Sequence, residues 1–243
     1  MSDRDSLIRV QDACIGYGSR KIVSGMDFTI EKGEITALIG ENGSGKSTLL
    51  KTITKEIPLL GGSIEIDGRD IARLTAHDIA RIMAIVMTGA VRTEYFTCYD
   101  TVASGRYPYT GRLGRLREED RQKIEEAMEL TGITELADRY VTDISDGQRQ
   151  LVMLSRAIAQ EPMLLILDEP TNFLDIRHKM LFADTVRELA ASKDVAVLMS
   201  IHELDLVRDM ADRVIALKDG AIDSDGPVDI LTDEYVKRLF RLE

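Results

Sequence analysis

The sequence has few of the residues that build disulfide-linked or disordered proteins. Its 243 residues include only two cysteines, and Cys14 and Cys98 form neither a CxxC pair nor a metal-binding spacing. A disulfide framework is therefore excluded, and two free thiols suit a reducing cytosol. Five prolines and 18 glycines are too few for a chain dominated by linkers or disorder.

Long apolar runs and excess positive charge are also lacking. No stretch reaches the roughly 18 to 20 apolar residues of a membrane span, and MSDRDSLIRV at the start lacks a signal peptide's apolar core. We therefore expect a soluble intracellular protein that meets a membrane only through a partner. The formal charge of −11 argues against binding to nucleic acid. Acidic residues also dilute the densest basic stretch, at 106–123.

The order of apolar segments predicts an α/β core. LIRVQDACI and IVSGMDFTI near the start predict strands, as does ITALI. LLILDEP and VAVLMSIH are near-continuous apolar runs, typical of parallel strands buried on both faces. Helical patterns dominate between these two groups. We predict one domain with its core at 1–87 and 162–243, and a helical subdomain inserted at about 88–161.

Residues 40–48, GENGSGKST, match the phosphate-binding pattern GxxxxGK[ST] between an apolar strand and a helix. Gly43 and Gly45 let successive backbone N–H groups point at phosphate oxygens, and the helix N-terminus adds its positive dipole end. Lys46 supplies a cation and Ser47 a hydroxyl for Mg²⁺. The alternative, a glycine turn with an accidental Lys-Ser, fits this context poorly. The residues expected to contact the nucleotide here are Gly40, Glu41, Asn42, Gly43, Ser44, Gly45, Lys46, Ser47 and Thr48.

Two adjacent carboxylates, Asp168 and Glu169, end the LLILDEP run. Successive strand residues point to opposite sides, so the two cannot have the same role. We expect Asp168 to hold the Mg²⁺ shell and Glu169 to face the attacking water as general base. The alternative is a pair of helix-capping acids at a loop.

A second anion site is predicted where ISDGQRQ, residues 144–150, precedes a helix. Ser145, the Gly147 backbone and Gln148 lie at the start of that helix, where N–H groups are free to bind an anion. Alone this motif is weak, because similar strings begin many helices. Its spacing before LLILDEP makes it specific.

GENGSGKST, ISDGQRQ, LILDEPTNFLD and SIHEL, in this order, resemble the ATPase subunit of ABC transporters over essentially the whole chain. The resemblance implies a P-loop NTPase core of ABC type, with a mixed or parallel sheet, an antiparallel β subdomain and an inserted α-helical subdomain. It also implies an Mg²⁺-dependent ATPase that works as a dimer, either of identical or of similar chains. Each ATP would lie between Lys46 of one chain and Ser145 of the other.

Further roles follow from the same resemblance. Asp175 matches the family's D-loop, which crosses the dimer interface. His202 matches the switch histidine, which would contact the γ-phosphate and orient Glu169. Tyr17 matches the aromatic residue that stacks on adenine, although a tyrosine could also pack within a strand pair.

Two positions depart from the family pattern. Asp146 replaces the first glycine of the usual SGGQ, which keeps the backbone N–H but adds a carboxylate beside an anion site. Thr88 stands where the family has a glutamine that touches Mg²⁺ and the attacking water. We expect Thr88 to keep a role near Mg²⁺ with a shorter reach.

TCYDTVASGRYPYTGR, downstream of Thr88, resembles the matching segment of ATPases that serve iron–siderophore, haem or cobalamin importers. A proline between tyrosines makes a stiff aromatic corner, which suits a permease contact over about Thr88–Tyr109; the alternative is an ordinary turn. The resemblance implies a permease, a substrate-binding protein outside the cytoplasm, and a location on the inner face of the membrane. A soluble ABC ATPase acting on DNA, ribosomes or cofactor assembly is the alternative function. A nucleotide kinase or GTPase would leave ISDGQ and SIHEL unexplained.

Overall fold

The computed structural model describes residues 6–87, 95–111, 114–172 and 174–242. Among these residues no helix combines the length and apolar character that crossing a membrane requires. The strands are β1 Ser6–Tyr17, β2 Arg20–Glu31, β3 Ile35–Ile39, β4 Gly61–Ile66, β5 Arg69–Asp70, β6 Met83–Met87, β7 Leu164–Asp168, β8 Ala196–Ser200, β9 Arg213–Lys218 and β10 Ala221–Pro227. The α-helices are α1 Lys46–Ile53, α2 Ala76–Ile82, α3 Cys98–Ala103, α4 Glu118–Leu130, α5 Asp146–Ala159, α6 Ile176–Lys193, α7 Leu204–Met210 and α8 Asp233–Leu239.

The strands form two sheets. A four-stranded antiparallel sheet has the order β2-β1-β4-β5, and a six-stranded sheet has the order β10-β9-β3-β8-β7-β6. In the larger sheet all neighbours pair in parallel except β10, which pairs antiparallel with β9. The predicted α/β fold, with a mixed sheet beside an antiparallel one, is confirmed.

Side chains on the two faces of the larger sheet enter two different hydrophobic cores. In β7, Leu165 and Leu167 pack with α3 to α7, whereas Leu164 and Ile166 pack with α1 and the antiparallel sheet. This explains why β7 has no alternation of polar and apolar residues: both of its faces are buried.

The parallel register brings several strand ends to one edge of the sheet. Asp168 at the end of β7 lies beside Ser200 at the end of β8, and Ser200 also pairs with Leu38 near the end of β3. Met87, at the end of β6, lies on the other side of Asp168. The loops that follow β3, β7 and β8 therefore begin close together at this edge of the sheet.

Helices α3, α4 and α5 lie in sequence between β6 and β7, and Arg106 joins their ends. Its buried guanidinium bonds Asp120 of α4 at 3.0 Å, Glu161 at 2.8 Å and the carbonyl of Ala159 at 2.7 Å. It also lies 4.1 Å from the centre of the Tyr109 ring.

The Arg-Tyr-Pro-Tyr string was predicted to form an aromatic corner that contacts a partner. Arg106 instead bonds within the chain, and the hydroxyl of Tyr109 donates to the carbonyl of Gln160 at 2.9 Å. Tyr107, which is 59% exposed, is the aromatic residue of the string that remains open to a partner.

Candidate active site

The loop between β3 and α1 has a backbone that only glycine adopts easily. Gly40 has φ 145° and Gly45 has φ 109°. A Cβ on Gly40 would lie 2.3 Å from the carbonyl oxygen of Leu217, and one on Gly45 would lie 2.4 Å from a methyl of Val23. The loop is thus fitted tightly between β9 and β2, and both glycines are required by space as well as by φ.

Lys46, the first residue of α1, folds back over this loop. Its Nζ donates to the carbonyl of Gly40 at 2.7 Å and to that of Glu41 at 3.1 Å, and the residue is only 6% exposed. Burial lowers the pKa of Lys46, and the nearby carboxylates of Glu169 and Asp168 oppose that shift. A phosphate group would add the compensating negative charge that a buried ammonium needs.

The start of α1 also suits an anion. Gly45 is its N-cap and provides no side-chain acceptor for the first-turn N–H groups, and no acidic residue lies in that turn. Unpaired N–H groups and the helix dipole favour a negative group at this point. The loop and helix together form a cradle for phosphate oxygens.

Asp168 is held in place by a partner on the neighbouring strand. The hydroxyl of Ser200 donates to Asp168 Oδ1 at 2.5 Å. Ser47, in the first turn of α1, is exposed. No cluster of three or more His, Cys, Asp or Glu side chains able to hold a metal occurs among the described residues. One carboxylate and one hydroxyl nevertheless suit Mg²⁺, which takes most of its ligands from substrate phosphates and water.

Glu169 follows β7 in the left-handed region, with φ 50°. Its N–H donates to the carbonyl of Ser200 at 3.0 Å, which fixes the strained backbone. Its Oε1 lies 2.8 Å from His202 Nε2, and its Oε2 accepts from Asn172 Nδ2 at 2.7 Å. Glu169 and His202, which are 33 residues apart in sequence, thus form a carboxylate–imidazole pair at the carboxyl edge of the sheet.

The second predicted anion site lies at the exposed start of α5. Ser145 caps this helix: its hydroxyl accepts from the N–H of Gln148 at 3.2 Å, and Gln148 Oε1 accepts from the N–H of Ser145 at 3.1 Å. Asp146 is paired with Arg149, which also bonds the carbonyls of Val141 and Ile144. The added carboxylate is therefore neutralised within its own turn, which accounts for its presence beside an anion site.

The predicted residues fall into separate groups. Lys46, Asp168, Glu169 and His202 lie together at the sheet edge, as the hydrogen bonds and charges above require. Within the described ranges no hydrogen bond or ion pair links Ser145 to any of them. Tyr17 ends β1 and is 49% exposed, so its ring is free to stack. Thr88 lies outside the described residues.

Three residues that complete this arrangement were not singled out from the sequence. Ser200 holds Asp168, Asn172 holds Glu169, and His178 binds Asp175. Ser200 lies within SIHEL and Asn172 within LILDEPTNFLD, so membership of a motif was an available signal. For His178 the available signal was its position three residues after Asp175, whereas its contact with Gly147 depends on how α6 packs.

Several known proteins are similar to this chain. The family model described as "ABC transporter" matches residues 23–172. The iron(3+)-hydroxamate import ATP-binding protein of Bacillus subtilis is 37% identical over 230 residues, covering 94% of this chain and 86% of the relative. The ferric enterobactin transport ATP-binding protein of Escherichia coli is 34% identical over 243 residues, covering 100% of this chain and 90% of the relative. Among solved structures, an inward-facing metal-chelate-type ABC transporter superposes with a TM-score of 0.85 at 28% identity, covering 98% of this chain and 90% of that one.

Proposed function

Because the chain belongs to the ABC transporter family, we propose that it is the ATP-hydrolysing subunit of a metal-chelate importer. The observation that carries the enzymatic part is the 2.8 Å contact between Glu169 and His202 at the same sheet edge as Lys46. The chelate as substrate is supported by relatives named for iron(3+)-hydroxamate and ferric enterobactin transport.

Hydrolysis at this site is a matter of position and charge rather than covalent chemistry. Lys46 and the N–H groups at the start of α1 bind and orient the β- and γ-phosphates. Glu169 orients a water molecule in line with the γ-phosphate and accepts its proton. His202, bonded to Glu169, fixes the direction of that carboxylate and donates toward the γ-phosphate when the nucleotide is present. Tyr17 stacks on the adenine.

Ser47 and Asp168 are the residues that would hold Mg²⁺, and their hydroxyl and carboxylate oxygens fit it. When bound there, Mg²⁺ would supply positive charge to offset the negative phosphate oxygens. The Ser200 hydroxyl donates to Oδ1 of Asp168 and would hold this carboxylate in position for the metal. Thr88 follows β6 directly, and we propose that it contributes a hydroxyl near the same metal.

Two copies, or this chain and a similar one, would enclose two nucleotides head to tail. Ser145 is exposed, and in the described part of the chain it has no hydrogen bond to Lys46, Asp168, Glu169 or His202. An anion site that faces solvent at the start of α5 is therefore available to a nucleotide bound by another subunit. ATP would bridge the two chains, and loss of phosphate would release them.

Exposed aromatic residues of the helical segment provide a surface for the permease. Tyr95 is 85% exposed and Phe96 45%, and the carbonyl of Phe96 bonds the N–H of Val141 beside the exposed Tyr140. Aromatic side chains are enriched where proteins bind each other. We propose that these residues and Tyr107 contact a permease on the inner face of the membrane, in a system that includes a binding protein outside it.

Capture of the tagged chain from detergent-solubilised native membranes tests the transport assignment. We expect mass spectrometry to identify a polytopic permease, and Tyr95→Ser to reduce its recovery. Leu242→Ser is the matched control, since Leu242 is exposed but lies near the end of the chain. Uptake of a radioactive ferric chelate by cells that lack the chain should return with the wild type and stay absent with Glu169→Gln.

Recovery of soluble partners alone, with no permease, would overturn the transport assignment in favour of a soluble ABC ATPase. If a permease is recovered but cells that lack the chain still take up the ferric chelate normally, the transport assignment stands. The proposal that the chelate is the substrate would then be overturned.

A further inference from the structure

The first turn of α6 is built around Asp175 and His178. Asp175 is the N-cap, and its Oδ1 accepts from the N–H of His178 at 2.9 Å. The same oxygen lies 2.9 Å from Nδ1 of the His178 ring. The ring is therefore fixed in direction by the residue that begins the helix.

The His178 ring lies directly against the start of α5. A Cβ built on Gly147 would lie 3.0 Å from Nδ1 and 3.1 Å from Cγ of His178. These distances are shorter than ordinary van der Waals contact, so the ring fills the space that any side chain at 147 would need. Gly147 is buried, whereas Ser145, two residues earlier, is exposed.

The same helical turn also reaches the segment that follows His202. Lys179 Nζ bonds Glu203 Oε2 at 2.6 Å, and Glu203 Oε1 accepts from the hydroxyl of Thr171 at 3.1 Å. The start of α6 thus contacts α5 on one side and the His202–Glu203 segment on the other.

We infer that His178 is a positioning residue that fixes the Ser145 end of α5 relative to Asp175. This inference rests on the proposed function, because it concerns where Ser145 meets a nucleotide held by another subunit. The ring has two roles. Its Nδ1 lies within hydrogen-bonding distance of Asp175, and the ring itself fills the space beside Gly147. Helix capping alone does not require the ring, since Asp175 already accepts from the backbone N–H of residue 178.

Three single substitutions separate the two contacts of His178. His178→Asn keeps an amide donor for Asp175 but loses the ring, His178→Phe keeps a ring but loses the donor, and His178→Ala loses both. His77→Ala is the matched control, because His77 is exposed on α2. We expect His178→Ala to lower kcat for ATP roughly 10- to 100-fold with little change in KM, since Lys46 and its loop are untouched. His178→Asn and His178→Phe should each recover part of kcat.

Thermal unfolding tests the contact with Gly147 separately. Gly147→Ala should lower Tm in the wild-type chain, because the new Cβ meets the ring. In the His178→Ala chain the same change should raise Tm, because alanine favours a helix over glycine once the ring is gone.

Each outcome bears on one claim. Three results would overturn the positioning role. The first is a wild-type kcat in His178→Ala, and the second is a fall in its kcat that parallels the fall in its folded fraction. The third is an equal fall in Tm when Gly147→Ala is made in the wild-type chain and in the His178→Ala chain. Absence of ATP hydrolysis by the wild-type chain, alone and with its permease, would instead overturn the proposed function. His77→Ala should keep kcat within about twofold of the wild type.

Discussion

Replacement of Glu169 by glutamine is expected to lower ATP turnover by about two to four orders of magnitude while ATP remains bound. Glutamine keeps the size of the side chain and one oxygen, so contacts with His202 and Asn172 remain sterically possible. It cannot accept the proton of the attacking water. Because Lys46 and its loop are unchanged, the affinity for ATP should stay near that of the wild type.

Single-turnover hydrolysis and equilibrium binding of ATP, measured on the same preparation, check this expectation. Glu188→Gln is the matched control, since Glu188 is exposed on α6 away from the site. Turnover within a few-fold of wild type in Glu169→Gln would mean that another group accepts the proton.

Replacement of Lys46 by methionine is expected to weaken ATP binding by roughly 10- to 100-fold, the effect of losing a charge-assisted bond of about 1.5 to 3 kcal/mol. Methionine retains an aliphatic stem at this buried position, so the fold should survive. The ammonium that bonds the Gly40 and Glu41 carbonyls is lost.

Fluorescence titration with an ATP analogue measures this change directly. Lys51→Met, in the last turn of the same helix, is the control for loss of a lysine from α1. Unchanged affinity in Lys46→Met would show that the nucleotide phosphates bind elsewhere.

Local patterns in the sequence were enough to predict the fold class and the loop at 40–48. The apolar runs that form β7 and β8 identify buried parallel strands, because a continuous apolar run is visible in neighbouring residues alone. The glycines of the loop carry positive φ values that few other residues adopt. Both signals lie within a few consecutive residues.

Contacts between distant segments could not be predicted in the same way. The bond from Ser200 to Asp168 depends on the register of β8 against β7, which only the folded sheet determines. His178 meets Gly147 because α6 packs on α5. Arg106 ends a single 3₁₀ turn, Ser104–Arg106, which is too short for periodicity to indicate whether a side chain faces the core or a partner.

The central claim is that two chains together form each ATP site, and mixing two variants that are each defective tests it most directly. Lys46→Met removes the cation of the phosphate cradle. Ser145→Asp keeps an N-cap for α5, since aspartate caps as well as serine, but it adds a negative charge facing the phosphate. At an ATP concentration near the wild-type Kd, each variant alone should hydrolyse little ATP, because every site in a dimer of identical chains contains one defect.

In a mixed dimer, one site combines the intact Lys46 of one chain with the intact Ser145 of the other. If ATP lies between two chains, an equal mixture should recover activity, up to about a quarter of the wild-type rate when pairing is random. A mixture that stays as inactive as either variant alone, under conditions where wild-type dimers form, would contradict the account.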